Sequence, residues 1–176
     1  MGAAWAALAL GAAGLAAVLW ARRGRLLAPG SPAPPFALPN QRGRVVGTAE
    51  LAGGWWLLYF YPKDQTPGCT REACAFRDRA DDLASARVRV VGVSRDGIDA
   101  HRAFAERHGL GFDLLADVDG AVTAAYGARS ALPGVARRVS YLVDPAGRIR
   151  KVYSEVSPAR HAAQVAADAR ELGAGA

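Results

Sequence analysis

Apolar residues run without interruption from Trp55 to Tyr61, as expected of a central strand whose two faces are both covered. Pro62 closes the run. A loop rich in turn formers follows, and from Pro67 the spacing predicts a helix to about Ser85. Val88 to Val93 alternates with arginine before turning wholly apolar, which predicts a second buried strand ending at Ser94. Asp99 to His108, with Ala100, Phe104 and then Leu110, reads as a one-sided helix. Phe112 to Leu115 predicts a third strand, and Asp119 to Tyr126 a short helix closed by Gly127. Val139 to Val143 and Ile149 to Tyr153 flank the turn Asp144-Pro145-Ala146-Gly147 and so predict an antiparallel hairpin. The last helix is expected from Pro158 to Leu172 with Ser157 as N-cap. Ahead of the first central strand, Phe36-Ala37-Leu38 and Val45-Val46, on either side of an Asn40 to Gly43 turn, read as a small hairpin.

A different pattern opens the chain. Ala3 to Trp20 is eighteen positions without a charge, rich in Ala and Leu, with Trp5 and Trp20 near its ends. That approaches the ~20 residues of a membrane span, with tryptophan at both interfaces. Arg22, Arg23 and Arg25 follow it. A cleaved secretory signal carries its charge in front, whereas here the charge lies behind, which favours an uncleaved anchor over export after cleavage. The positive-inside tendency then puts the arginines and the domain after them on the cytoplasmic side. Pro29, Pro32, Pro34 and Pro35 read as an extended linker. The expected organisation is an anchor and basic flank over 1–28, a linker over 29–35 and one domain over 36–176.

Composition agrees with one compact domain, since 176 residues at 51% hydrophobic content can bury a sizeable core. The net charge of +6 could suggest a nucleic-acid partner, but the arginines are scattered among acidic residues with no aromatic-basic platform, so a solvated surface is expected and no nucleic acid. His101, His108 and His161 are widely spaced and read as surface or partly buried residues rather than metal or catalytic ones. Only two cysteines occur, too few for a secreted disulfide scaffold and not spaced as zinc ligands.

Those two thiols carry the candidate chemistry. Cys69 falls at the start of the helix after Pro67, where unpaired backbone N–H groups and partial positive charge stabilise an anion such as a thiolate. Thr66 can point a hydroxyl into the same cup of donors, and Pro62 adds an apolar wall with no competing N–H. A small neutral electrophile such as peroxide suits that pocket. Cys74 lies five positions on, roughly 7.5 Å along a helix axis, whereas a disulfide needs Cα atoms within about 7 Å. A bridge between the two therefore requires the helix to unwind locally.

Phe60-Tyr61-Pro62-Lys63-Asp64-Gln65-Thr66-Pro67-Gly68-Cys69-Thr70-Arg71-Glu72-Ala73-Cys74, followed by Phe76-Arg77-Asp78, resembles the peroxiredoxins, and most closely their PrxQ or bacterioferritin comigratory protein subfamily. The likeness extends over roughly Gly30 to Leu172 and includes Asp113-Leu114-Leu115-Ala116-Asp117 and Ala125-Tyr126-Gly127. It implies a thioredoxin-like α/β fold, a central mixed sheet flanked by helices. It further implies Cys69 as peroxidatic and Cys74 as resolving cysteine, in an atypical two-cysteine peroxidase recycled by a thioredoxin-type protein. The family's arginine pattern is matched by Arg138-Val139-Ser140-Tyr141-Leu142, so Arg138 is the implied cation, with Arg137 on the opposite face of the strand.

Donors along the S···O···O line are what a thiolate attack on peroxide requires, and the backbone N–H groups of Gly68 and Cys69 can join Thr66 and Arg138 there. Glu72, one helical turn after Cys69, would oppose a thiolate unless an arginine neutralises it, which is the expectation. Lys63 and Asp64 match the pattern and either serve the site or only shape the loop. Tyr61 and Phe76 are expected in the core or the pocket wall, and Asp144 in the hairpin turn. No metal or organic cofactor is required. The expected substrates are hydrogen peroxide and alkyl or lipid hydroperoxides, and the catalytic domain is expected to be monomeric because the resolving cysteine is in the same chain. A membrane-tethered thiol-disulfide oxidoreductase on the same fold normally uses C-x-x-C, absent here; a peroxide sensor built on the same disulfide is the other alternative.

Overall fold

The computed structural model of the chain describes residues 24–174. The expected anchor, Ala3 to Trp20, lies outside them, and among the described residues no helix is long and apolar enough to cross a membrane. In chain order the elements are β1 (Ala37–Pro39), β2 (Val45–Gly47), α1 (Thr48–Leu51), β3 (Trp55–Phe60), α2 (Pro67–Asp78) and α3 (Ala80–Ser85). They continue with β4 (Val88–Ser94), α4 (Ile98–His108), β5 (Asp113–Ala116), α5 (Ala121–Ala125), β6 (Val139–Val143), β7 (Ile149–Tyr153) and α6 (His161–Glu171).

β3 lies at the centre of a five-stranded mixed sheet ordered β5-β4-β3-β6-β7, parallel to β4 and antiparallel to β6. All six of its residues are buried, which is why its sequence shows no polar alternation. Trp55, Leu57, Tyr59 and Tyr61 enter one core, shared with Cys69, Phe76 and Leu83 and with Phe104 and Val165. Trp56, Leu58 and Phe60 enter the other, with Phe36, Tyr126 and Tyr141. The cysteine helix thus packs on one sheet face, and β1, β2 and the segment before them cover the other.

Three expectations need correction. The helix from Pro67 is interrupted at Arg79, whose φ of −113° and ψ of 24° leave the α region, and α3 starts afresh with the Leu83 amide on the Arg79 carbonyl. The last helix begins at His161 rather than Pro158, because Pro158 to Arg160 form a turn; the Ser157 carbonyl, not its hydroxyl, accepts the Arg160 and His161 amides. The expected linker, 29–35, is not a free spacer. Gly30 donates its amide to the Ile149 carbonyl at 2.7 Å, Ile149 returns a bond to Ser31, and Ala33 donates to Gly147, so the proline-rich stretch pairs with the turn residues Gly147 and Arg148 and the first residue of β7 at the sheet edge. The Tyr126 hydroxyl donates to the Pro34 carbonyl at 2.8 Å, and Leu26 and Leu27 pack on the second core. Proline suits an edge position, where its missing N–H leaves no ladder bond unmade.

Candidate active site

β3 and β6 run antiparallel with Phe60 opposite Val139, so Arg138 comes just before the ladder at the end where β3 delivers the loop to α2. Thr66, extended at φ −78° and ψ 147°, is the N-cap of α2, and Pro67 occupies the first turn, where a missing N–H costs nothing. Cys69 is therefore the third residue of the helix, within the turn whose N–H groups point outward. Cys69 is almost enclosed, at 2% exposure, and joins the first core.

Arg138 joins two groups. Its Nη2 lies 3.3 Å from Cys69 Sγ, and its Nη1 donates to Glu72 Oε2. Glu72 is fully buried, and its Oε1 has no partner. Burial pushes the Glu72 carboxyl up to about 7, against the pull of the guanidinium. Burial opposes the charge of Arg138 too, but Glu72 and Cys69 hold it cationic. The expected neutralising arginine of Glu72 is thus Arg138 itself. Gly68 lies against the same guanidinium: a Cβ there would sit 3.2 Å from Arg138 Nη2.

Thr66 donates its hydroxyl proton to the Lys63 carbonyl at 3.0 Å, leaving the oxygen's lone pairs for another donor. The hydroxyl closes the Lys63 to Thr66 turn and bonds no helix amide, although Thr66 holds the N-cap position. Pro62 is half-buried at the start of this loop. Cys74, half-buried and unbridged, lies two residues before Phe76 on the unbroken helix α2.

Two fully buried histidines, expected at the surface or partly buried, support this centre. His161 is 1% exposed, with Nε2 2.8 Å from the Ser140 hydroxyl and its ring edge-on to Phe76 and Tyr153. Burial, with the charge of Arg138, lowers its pKa to about 4, so it is neutral near pH 7. His101 is fully buried, and its Nδ1 is 2.7 Å from Asp64 Oδ2, while the Tyr61 hydroxyl donates to Oδ1 at 2.7 Å. The Asp64 amide donates to Asp96, whose carboxylate also accepts from the Ser94 hydroxyl. Asp64 therefore fixes the loop before Cys69 to β4 and α4. No nearby spacing joins Asp64 to His101, 37 positions away, so the pattern alone could not pair them. Ser140 stood inside the quoted arginine pattern, but its histidine partner did not. Tyr59, its hydroxyl buried without a partner, is held protonated by burial first and by Glu72 next. Among the described residues no cluster of His, Cys, Asp and Glu could hold a metal ion.

Residues 29–152 match the family model described as AhpC/TSA. The chain belongs to the AhpC/TSA family of peroxiredoxins. It is 40% identical over 143 residues to a Coxiella burnetii protein named for peroxiredoxin bcp, covering 77% of this chain and 94% of that one. The crystal structure of peroxidoxin BcpB from Mycobacterium tuberculosis superposes with a TM-score of 0.77 at 34% identity, over 83% of this chain and 98% of that one. A Xanthomonas campestris bacterioferritin comigratory protein, solved in trapped intermediate and ligand complexes bearing on its alkyl peroxide reduction, gives 0.74 at 29% identity over 85% and 98%. The sheet and helices described above are the thioredoxin-like fold of the peroxiredoxins, and the resemblance to the PrxQ or bacterioferritin comigratory protein subfamily stands.

Proposed function

We propose that this peroxiredoxin reduces hydrogen peroxide and organic hydroperoxides through a Cys69 sulfenic acid and a Cys69–Cys74 disulfide. The observation that carries the reading is the Arg138 guanidinium 3.3 Å from the sulfur of a cysteine in the first turn of α2. A fixed cation and a row of outward N–H groups favour the thiolate and then the charge that develops on the departing oxygen. Gly68 lets the guanidinium approach, and Thr66 offers its oxygen to the peroxide proton.

The thiolate attacks one peroxide oxygen and the O–O bond breaks; its electron pair leaves on the other oxygen, which takes a proton and departs as water or alcohol. Cys69 is left as the sulfenic acid. The Cys74 thiol then attacks that sulfur, an S–S bond forms and water leaves. Because both cysteines lie on one unbroken helix, this second step requires α2 to unwind. A thioredoxin-type dithiol would return the disulfide to two thiols. The alkyl peroxide chemistry of the Xanthomonas relative supports organic hydroperoxides as substrates. An internal resolving cysteine needs no second subunit, which supports a monomer as the working unit. The uncharged stretch Ala3 to Trp20 followed by Arg22, Arg23 and Arg25 supports attachment to a membrane with the domain on the cytoplasmic side; protease protection in vesicles tests that part.

Single-turnover oxidation followed by mass spectrometry tests the chemistry. Wild type should form one internal disulfide, Cys74→Ser should stop at a Cys69 sulfenate, and Cys69→Ser should stay reduced. Oxidation of Cys74 with Cys69 left as a thiol would reject the roles. Oxidation without turnover by a thioredoxin system would leave a sensor instead of a peroxidase.

A further inference from the structure

Among the described residues three large apolar side chains stand well out into solvent, and two of them, Val118 at 61% and Leu132 at 70%, both neighbour Arg95, which bonds the carbonyl of the one and lines a cavity with the other. Arg95, at the end of β4, donates from Nη2 to the Val118 carbonyl at 2.9 Å. Leu132 rides at the tip of a loop closed at its neck by the Arg129–Ala136 bridge, with Ala131 and Pro133 exposed beside it. This loop, with Arg95 and Asp119, lines a cavity of about 360 Å³. A second cavity, of about 870 Å³, shares Asp119 and Arg129 and is lined also by Arg25, Leu26 and Leu27. The surface is therefore continuous from the start of the described chain to the loop tip.

Some arginines of this molecule, Arg77, Arg89, Arg102 and Arg150 among them, meet carboxylates, whereas others do not. Arg25, Arg95 and Arg129 have no ion pair among the described residues, and the Arg95 Nε is buried against Gly120 without a partner. The carboxylate lining both cavities, Asp119, accepts the Ala121 amide.

We infer that this surface rests on an anionic phospholipid bilayer, the guanidiniums taking lipid phosphates at the two cavities while Val118 and Leu132 enter the interfacial layer. Unpaired arginines match phosphate oxygens, and apolar tips beside them give the second signal that stable surface attachment requires. A soluble phosphate would use the arginines but has no use for the exposed apolar tips. The inference draws on the membrane reading above for one point only: Arg22, Arg23 and the uncharged stretch adjoin Arg25, so an anchor would bring the bilayer to this side. Arg138, two residues after Ala136, and Arg95, which follows β4, both lie at the end of the sheet where β3 finishes, so the peroxide site and this surface share that end.

Hydrogen exchange of the full chain, with vesicles of phosphatidylcholine alone or mixed with phosphatidylglycerol, tests this. Amides of residues 118–135 should slow with the anionic vesicles. Arg95→Gln and Arg129→Gln should each raise the lipid concentration for half-protection about five-fold, and Leu132→Asp should raise it as well, with turnover of hydrogen peroxide unchanged. Salt-reversible protection of a chain that salt also releases would uphold the surface while rejecting the anchor. Attachment to vesicles with residues 118–135 exchanging as in free protein would keep the anchor and overturn the surface. Equal protection by inorganic phosphate without vesicles would overturn it in favour of a soluble-anion site.

Discussion

Arg138 bridges Cys69 and Glu72, one guanidinium nitrogen on the sulfur and the other on a carboxylate with no exposure to water. The two partners ask different things of it. For the sulfur it is the cation, whereas for the buried carboxylate it is the condition of burial, since an unpaired charge there would cost several kcal/mol. Arg138→Gln should slow peroxide consumption by about two orders of magnitude, the loss typical of one donor to developing charge. It should also destabilise the fold by about 3–5 kcal/mol through the orphaned Glu72. Adding Glu72→Gln should recover the stability without the rate. Urea midpoints and stopped-flow oxidation separate the two; recovery of both together would reject a direct role at the sulfur.

Glu72 and His161, both close to Arg138, give opposite pH dependences. Burial raises Glu72 from 4.5 to about 7, so the folded state holds a proton that the unfolded chain has released, and stability falls as pH rises through that window. His161 is lowered from 6.5 to about 4, so the unfolded chain binds the proton first. Its contribution is complete above pH 6.5 and is lost as pH falls towards 4. Each effect is on the order of 3 kcal/mol, and they offset in the wild type. Relative to wild type, Glu72→Gln should gain stability with rising pH and His161→Gln should lose it. Curves that stay parallel to wild type would reject both assignments.

Asp64 and His101 anchor the loop before Cys69. His101→Leu would leave Asp64 enclosed with the Tyr61 hydroxyl and no imidazole, a loss of about 3–5 kcal/mol if the pair is ionic. Amides of residues 63–66 should exchange faster in that variant, and peroxide oxidation should slow with them. Destabilisation with unchanged loop exchange would make the network a general core contact.

The strands were legible because covering both faces of β3 demands unbroken apolar sequence, and the nucleophile because Pro67-Gly68-Cys69 announces a helix start. The Glu72 partner was foreseen as an arginine, although its identity with the arginine at the sulfur was not. His101 and His161 were misplaced for a physical reason: their partners Asp64 and Ser140 lie on other elements, and the burial of an imidazole depends on those contacts rather than on local periodicity. The same holds for residues 29–35, where proline signals an irregular path equally well in a free linker and on a sheet edge.

Gly68 sets how closely Arg138 can approach. Gly68→Ala should favour the helix by up to about 1 kcal/mol, yet its Cβ at 3.2 Å presses on the guanidinium end, which must give by a few tenths of an ångström. Oxidation should slow several-fold while the reduced helix grows more stable, and the Cys69–Cys74 step, which needs that helix to open, should slow as well. Mass-spectrometric timing of sulfenate and disulfide resolves the two steps; faster disulfide formation would contradict the unwinding requirement.

The docked segment before the domain turns on Gly127. Its φ of 65° already disfavours any other residue, by about 1–2 kcal/mol, and a Cβ there would collide with the Arg25 carbonyl. Gly30, at φ 87°, carries the same backbone demand with open space around it. Gly127→Ala should therefore cost more than Gly30→Ala, and it alone should free Leu26 and Leu27 from the second core. Trypsin should then cut after Arg25 more readily in the Gly127 variant. Equal urea midpoints and equal cleavage in the two variants would mean that the segment is held by its other bonds and its leucines, and that its contact at Gly127 adds nothing.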